Sequence, residues 1–325
     1  AEDTAPDQPA LPGEQVLLDL DQLADGHEFF SLGGSSVSPD ANLLAYSTDV
    51  VGDERYTIRI KDLGTGELLD DEITGVLGGA TWERDGTAFY YTTTDESWRA
   101  DKIWRHRLGT AQAEDELVHH EEDGRFWVGV GRTRSDRFIV VASGSKTTSE
   151  YRFLDADSPD DGFRVFSERR EGVEYSLDHA VIAGQDVFLV MHNHTGADFE
   201  LATAPIAPTR PEDWAPLIAH DPAVRLEDVD AFAGHLVVHQ RSDGLTQLRI
   251  LELGPDASAR TISSSSTTPS TPSARRATPA STSVVRLGYT TMAVPSSVYD
   301  YDVRTRELTL LRRAPVLGGY DPADY

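Results

Sequence analysis

A repeat of short strand-like segments runs through most of the 325 residues and constrains the fold more than any other feature. The segments alternate apolar and polar residues or are rich in β-branched residues, and they end near Leu20 (EQVLLDL), Leu69 (GELLD), His120 (ELVHH), Glu168 (FRVFSE), His220 (WAPLIAH), Ile262 (ARTI) and Arg312 (ELTLLRR). Their spacing of about 45 to 50 residues is the length of one four-stranded propeller blade. The repeat therefore predicts an array of small antiparallel sheets.

Within each period, a polar turn precedes an apolar strand, which is followed by an alternating strand. Asp85 and Gly86 form a tight hairpin signal before TAFYYTT, and Pro39 and Asp40 supply turn residues before LLAYST. A possible helical turn lies between residues 18 and 26. We predict an all-β fold: a seven-bladed-type β-propeller with four-stranded blades, incomplete here, with about six blades plus one strand. A pair of β-sandwiches and a β-solenoid are the alternatives, but a solenoid has shorter rungs.

Composition limits the partners and the compartment. The formal net charge of −26 disfavours binding to the phosphate backbone, so no nucleic acid partner is expected. This acidity indicates either solubility and salt adaptation or a field that attracts cations. With no cysteine, nothing requires an oxidising compartment, and no apolar run approaches the ~20 residues that span a bilayer. Residues 1–13 form an acidic, Pro-rich leader that we expect to be disordered, not a signal peptide. We therefore expect a cytoplasmic protein with no membrane partner.

The chain shows no motif of its own for chemistry. Ser35 and Ser145 follow glycines, but neither completes the Gly-x-Ser-x-Gly nucleophile elbow. His192 and His194 could supply two metal ligands, yet no third ligand has a diagnostic spacing, so we expect a polar strand end, no metal and no cofactor. Two further groups are expected to be structural: acids of a solvated loop rim (residues 114–116 and 121–123), and aromatic blade core (Trp82, Trp104, Phe126 and Trp127).

Many phrases, in order, resemble one family. They include HEFFSLGG (27–34), ERYTIRIKDLGTGE (54–67), KTTSEYRFLDAD (146–157), EYSLDH (174–179), RLGYTTMAVPSSVYDYD (286–302) and PVLGGYDPADY (315–325). The chain is similar along nearly its whole length to the non-catalytic domain of the oligopeptidase B (protease II) group of the prolyl oligopeptidase family of serine peptidases.

The resemblance implies a propeller that caps an α/β-hydrolase domain and restricts entry to short peptides, which are cleaved after Arg or Lys. The Ser, Asp and His triad of the family lies wholly in that hydrolase domain, so we expect no catalytic residue and no hydrolysis by this chain alone. Residues 14–313 match the propeller and 314–325 the start of the linker to the missing hydrolase domain. The partners implied are that domain and short basic peptides. A free-standing propeller scaffold that binds peptides or proteins is the alternative; an autonomous hydrolase would need an unrecognised nucleophile.

Residues 263–283 depart from the family pattern. They are rich in Ser, Thr and Pro, as in a flexible linker, where the family has ordered strand sequence. An out-of-frame stretch between compensating shifts is one hypothesis, and a true linker insertion is the other. A coding sequence without an alternative frame for strand-like residues would exclude the first.

Acids on the strands that open two periods are candidate substrate-steering residues, because the family's inner strands line the path to a site for cationic side chains. These acids are Glu174, Asp178, Glu227, Asp228 and Asp230. The competing interpretation is that they hold the start of each blade by local hydrogen bonds.

Overall fold

The computed structural model describes residues 15–253, 261–263, 273–274, 281–291 and 294–319. The predicted leader, residues 1–13, the end of the predicted linker, and most of the Ser/Thr/Pro-rich segment 263–283 lie outside these ranges. The chain forms two compact units. The first unit comprises the described residues up to Arg132 together with Asp136–Val165, and the second comprises Thr133–Ser135 together with the described residues from Phe166 onward.

The first unit opens with a short helix, α1 (Leu20–Ala24), and an antiparallel sheet of eight strands. Its strands are β1 (Ser31–Val37), β2 (Leu43–Asp49), β3 (Tyr56–Asp62), β4 (Leu68–Val76), β5 (Thr81–Trp82), β6 (Ala88–Thr94), β7 (Ala100–Arg107) and β8 (Glu116–His120). Two four-stranded groups are joined where Val76 of β4 pairs with Thr93 of β6. Two blades thus share one hydrogen-bonded sheet.

Four further sheets each contain four antiparallel strands in sequence order. They are formed by β9 (Trp127–Arg132), β10 (Phe138–Gly144), β11 (Ser149–Asp155) and β12 (Arg164–Ser167); β13 (Tyr175–Ile182), β14 (Gln185–His192), β15 (Glu200–Ala204) and β16 (Ala215–Ile218); β17 (Val224–Ala231), β18 (His235–Ser242), β19 (Leu245–Glu252) and β20 (Thr261–Ser263); β21 (Ser273–Ala274), β22 (Val284–Tyr289), β23 (Ser297–Asp302) and β24 (Leu308–Arg313). The predicted all-β, incomplete propeller architecture is confirmed.

Alternating side chains bury both faces of most sheets. In the first unit, Ile58, Ile60 and Phe89 belong to one core cluster and Ile139 and Val141 to another. In the second unit, alternate residues of β18 point to opposite clusters: Leu236 and Val238 pack toward β13–β16, whereas Val237 packs toward β22 and β23. This is the period-two pattern expected of strands that are covered on both sides.

The hairpins follow the turn chemistry of the sequence. Ala183 and Gly184 connect β13 to β14 with φ of 51° and 76°, and Asp243 and Gly244 connect β18 to β19 with φ of 51° and 77°. Two successive left-handed residues make the turn whose twist matches antiparallel strands. Gly86 adopts φ of 72° in the predicted Asp-Gly turn.

Some sequence predictions were wrong. EQVLLDL is not a strand, because the Asp19 side chain accepts a hydrogen bond from the Gln22 N–H at 3.1 Å and starts α1 instead. GELLD does not end a strand near Leu69, because β4 begins at Leu68 and continues to Val76. Trp127 is not core, since its side chain is about half exposed.

The prediction of a solvated loop rim at residues 114–116 and 121–123 was also wrong in part, because some of these acids are buried. Glu121 is buried, and Asp115 accepts hydrogen bonds from the Tyr91 hydroxyl and His106 Nδ1, both at 2.7 Å. His106 is fully buried, and its Nε2 lies 3.0 Å from Asp71. The expectation failed because hydrogen bonds to a buried tyrosine and histidine compensate the desolvation of Asp115.

Candidate functional site

The five candidate steering acids lie at or near the first strands of two neighbouring sheets, β13 and β17. Glu174 directly precedes β13 and Asp178 lies within it, whereas Glu227, Asp228 and Asp230 lie within β17. The two sheets share a core cluster that includes Leu189 of β14 and Leu226 of β17. The structure therefore brings the five acids into one region of the second unit, although their surroundings differ.

Arg134 brings Asp178 and Asp230 together. Its backbone N–H donates to Asp178 Oδ1 at 2.8 Å, and its Nη1 donates to Asp230 Oδ1 at 3.0 Å. All three residues are buried. His239 Nε2 lies 3.1 Å from the other oxygen of Asp230. A buried charge is stabilised mainly by such paired, hydrogen-bonded contacts. This bridge holds the first strands of two sheets together, and the Arg134 guanidinium offsets the charge of Asp230.

An aromatic stack completes the bridge. The Arg134 guanidinium lies 3.9 Å from the centre of the Phe232 ring, and Phe232 stacks on His235 with centroids 4.4 Å apart. Burial lowers the pKa of His235 to about 4, and the positive charge of Arg134 acts in the same direction. His235 is therefore neutral at pH 7. Sequence reasoning missed Arg134 because a charged residue in a polar turn gives no sign that it is buried.

The other three acids have local partners. The side chains of Glu174 and Asn193 are hydrogen-bonded at 3.1 Å, and Asn193 Oδ1 accepts the Glu174 N–H. Glu227 pairs with Arg241 Nε at 3.0 Å, and Asp228 accepts the Val229 N–H at 2.8 Å. Glu227 and Asp228 are exposed, unlike Asp178 and Asp230. These two acids are the members of the set whose charges reach solvent.

The predicted His192 and His194 site has a mixed environment. His192 ends β14, is almost fully buried, and lies 3.6 Å from Glu200, which exceeds a hydrogen-bond distance. Burial lowers the pKa of His192 to about 4; the Glu200 charge opposes this effect and the neighbouring His194 adds to it. Across the described ranges, no group of three or more metal-ligating side chains is arranged to hold an ion.

One serine outside the predicted candidates has a histidine neighbour of the kind that nucleophilic catalysis uses. Ser135 Oγ lies 2.8 Å from His179 Nδ1, and His179 Nε2 lies 3.1 Å from Asp186. The Asp186 side chain is 61% exposed, so water screens the interaction that orients the ring in a hydrolytic triad. The three residues link the β9–β10 connection to β13 and β14. Ser35 lies within β1, and Ser145 forms a turn through its N–H and the Thr148 carbonyl at 2.8 Å.

A cavity of about 280 Å³ in the first unit is lined by several charged side chains, among them Arg105, Glu116 and Asp160. Arg105 at its wall is buried, donates to both oxygens of Glu83 at 2.6 and 3.0 Å, and donates to Asp160 at 3.0 Å. The Tyr90 hydroxyl also donates to Glu83 at 2.8 Å. Because acids of the protein already occupy the guanidinium, the cavity has the features of a structural ion-pair site rather than an anion pocket.

Repeated four-stranded antiparallel sheets, packed through both faces and bridged between first strands, define the chain as a β-propeller. Its family follows from comparison with known proteins. A family model described as "Prolyl oligopeptidase, N-terminal beta-propeller domain" matches residues 3–314. The chain belongs to this family.

Two curated relatives match over nearly the whole chain. It is 36% identical over 322 residues to dipeptidyl aminopeptidase BI of Pseudoxanthomonas mexicana, a match covering 96% of the chain and 42% of the relative. It is 32% identical over 323 residues to protease 2 of Moraxella lacunata, covering 96% of the chain and 44% of the relative.

Solved structures of peptidases are also similar to this chain. Oligopeptidase B from Trypanosoma brucei, in a closed form with covalently bound antipain, is similar with a TM-score of 0.87 and 30% identity, covering 98% of this chain and 45% of that one. Oligopeptidase B from Leishmania major has a TM-score of 0.88 at 25% identity, with coverage of 98% and 46%. The chain thus spans less than half the length of these relatives. In the part of the chain that the structure describes, no helix is long and apolar enough to cross a membrane.

Proposed function

We propose that this chain is the non-catalytic, substrate-gating propeller of a serine oligopeptidase, and that its partner is an α/β-hydrolase domain that carries the catalytic triad. The family match over residues 3–314 is the observation that carries the proposal, because it assigns almost the whole chain to one domain of a peptidase. Relatives named dipeptidyl aminopeptidase, protease 2 and oligopeptidase B support a peptidase as the whole protein. The cytoplasmic location stays a prediction from the sequence.

We further propose that the whole enzyme cleaves short peptides after Arg or Lys, and that acids at the first strands attract such peptides. Glu227 and Asp228 are exposed, so their charges face solvent, although the Arg241 guanidinium offsets part of the Glu227 charge. Asp178 and Asp230 are buried around Arg134, which favours a positioning role for these two. Glu174, half-buried against Asn193, lies between the two cases. Steering by the set remains a hypothesis about the assembled enzyme.

A chimera tests the domain assignment. This chain replaces the matching residues of Pseudoxanthomonas mexicana dipeptidyl aminopeptidase BI, and hydrolysis of Arg- and Lys-containing chromogenic peptides is measured. We expect the chimera to hydrolyse them and the 325-residue chain alone to show no activity, because nucleophile and oxyanion donors are supplied by the hydrolase domain. Activity of the isolated chain that survives repurification would contradict the proposal, as would an inactive chimera that is folded.

Steering is tested in the same chimera with Glu227→Gln and Asp228→Asn combined. We expect kcat/KM for basic peptides to fall at low salt, and the fall to shrink as salt rises, because exposed charges are screened over about 8 Å at physiological ionic strength. The control is Glu67→Gln with Asp70→Asn, which removes the same charge at exposed positions near β4. An equal effect of the two double variants would show that only the net charge of the chain matters. No effect of either variant would leave Glu227 and Asp228 with only a structural role.

A further inference from the structure

An exposed apolar patch lies on the first unit, whereas the acids described above belong to the second unit. It consists of Phe29, Val50, Val51, Arg55 and Trp98, and is called the Trp98 patch below. Val51 is 75% exposed and Trp98 is 42% exposed, and Phe29 and Val50 are also exposed. Large apolar side chains grouped on a surface mark interaction sites more often than isolated ones do.

Backbone pairing and ring contacts show that these residues lie together. Ser31 at the start of β1 pairs with Asp49 at the end of β2, so the segment containing Phe29 lies beside the loop after β2. A Cβ placed on Gly52 would meet the Phe29 ring at 3.4 Å. The Arg55 guanidinium lies 4.9 Å from the centre of the Trp98 ring. Three separate segments thus form one surface.

Carboxylates hold the loops of the patch in fixed shapes. Asp49 accepts the N–H groups of Val51, Gly52 and Glu54 at 2.8 to 2.9 Å. Asp95 accepts the N–H groups of Ser97 and Arg99 at 2.8 and 3.1 Å, and the Arg99 Nε at 2.9 Å. The Arg99 N–H bond is the main reason that the pKa of Asp95 lies below its ordinary value. Loops fixed in advance lose less conformational freedom when a partner binds.

Trp98 has an unfavourable backbone conformation for its type. Its φ is 64°, in the left-handed region that suits glycine and is costly for a bulky side chain. The ring does not offset this cost by burial, because a large part of it faces solvent. Glycine would fit the loop better, so stability of the isolated domain does not explain tryptophan here. Tryptophan and arginine are the residues most enriched at interface hot spots.

We infer that the Trp98 patch is the surface on which the α/β-hydrolase domain docks. The inference rests on the proposed function and adds the place of contact. The chain spans 42 to 46% of the relatives it matches, so more than half of each relative is available as the occupant. A relative in a closed form shows that a member of the family closes. Closure buries the Trp98 ring, and that burial offsets its strained backbone.

The experiment uses the chimera that carries the full 325-residue chain. Trp98→Gly removes the ring and suits the backbone. Trp127→Ala is the matched control, because Trp127 is also a half-exposed tryptophan of the first unit. The fraction of closed molecules is measured by small-angle scattering with and without antipain. We expect Trp98→Gly to lower the closed-to-open ratio about thirtyfold, the loss at the threshold of a hot spot, and Trp127→Ala to leave it unchanged. In the isolated chain, Trp98→Gly is expected to leave the melting temperature unchanged or higher.

The outcomes separate the two proposals. A folded parent chimera with no hydrolysis contradicts the proposed function and this inference together. An active chimera whose closure is insensitive to Trp98→Gly, or equally sensitive to Trp127→Ala, overturns the inference alone. A lower melting temperature of the isolated Trp98→Gly chain would make Trp98 a stabilising residue and also overturn it. Self-association of the isolated chain that Trp98→Gly abolishes would assign the patch to a second copy instead.

Discussion

Lowering the pH from 7.5 to 5 is expected to destabilise the second unit through two buried histidines. The pKa of His192 and of His235 is about 4 in the folded chain, because burial disfavours the charged ring. In an unfolded chain the pKa of histidine is about 6.5. Unfolding therefore takes up protons between these two values, and the stability present above pH 6.5 is lost as the pH falls toward 4.

The magnitude follows from the two pKa values. At pH 5, each histidine lowers the free energy of unfolding by about 2 kcal/mol, and the pair lowers it by about 4 kcal/mol. Acids add little in this window, because those with resolved shifts, such as Glu212 with a pKa of about 2, titrate below it. Glu200 and His194 face His192, and their opposing effects are contained in its value of about 4.

Equilibrium urea unfolding at pH 7.5, 6.5, 5.8 and 5.0, followed by tryptophan fluorescence, measures the effect. His192→Phe is the informative variant, because the ring packs 4.8 Å from Trp214 and neither nitrogen makes a protein hydrogen bond. We expect this variant to lie within about 1 kcal/mol of the parent at pH 7.5 and to lose about half of the pH dependence. A parent chain equally stable at pH 7.5 and 5, or a variant with an unchanged slope, would refute the reasoning.

Two substitutions test the packing of the first unit by the free energy of unfolding in urea. Glu83→Ala leaves the buried Arg105 guanidinium without its main partner and is expected to cost about 3 to 5 kcal/mol, whereas Arg59→Ala breaks the exposed Arg59–Glu72 pair and is expected to cost under about 1 kcal/mol. Similar losses of unfolding free energy in Glu83→Ala and Arg59→Ala would contradict the argument that burial makes the Glu83–Arg105 pair costlier to break. Gly34→Ala places a Cβ 3.0 Å from the Gly79 Cα and is expected to be destabilising by at least about 1 kcal/mol, in contrast to Gly129→Ala, whose Cβ meets no atom within 4 Å. Equal stability of the two glycine variants would show that the backbone segments at Gly34 and Gly79 can move apart to admit the Cβ.

The sequence predicted the strands well because the two signals it used are local. Alternation along β3 and β19 and the turn residues before β6 and β14 act within a few residues of the chain, and tertiary packing agrees with them. EQVLLDL failed because Asp19 caps a helix one residue later, so two local signals compete there. Alternation alone did not show whether this segment would form a strand or start a helix.

The candidate site was predicted less completely. The five acids were correctly placed at the openings of two periods, but burial of Asp178 and Asp230 depends on Arg134, which lies 44 and 96 residues away in the chain. Such long-range pairs leave no local pattern. The predictions that Trp127 is core and that Asp115 is solvated were wrong for the same reason. The exposure of a tryptophan and the pairing of an acid are decided by which strand lies opposite.

The pairing of Val76 with Thr93 affects how the first unit opens. Blades that touch only through side chains can separate without breaking backbone hydrogen bonds, but β1–β4 and β5–β8 are joined by one backbone residue pair. Their amide protons are therefore expected to exchange with solvent as one cooperative group, with β2, β3, β6 and β7 the slowest. This pair links the two blades mechanically, because a force that separates them must first break main-chain hydrogen bonds at Val76 and Leu77.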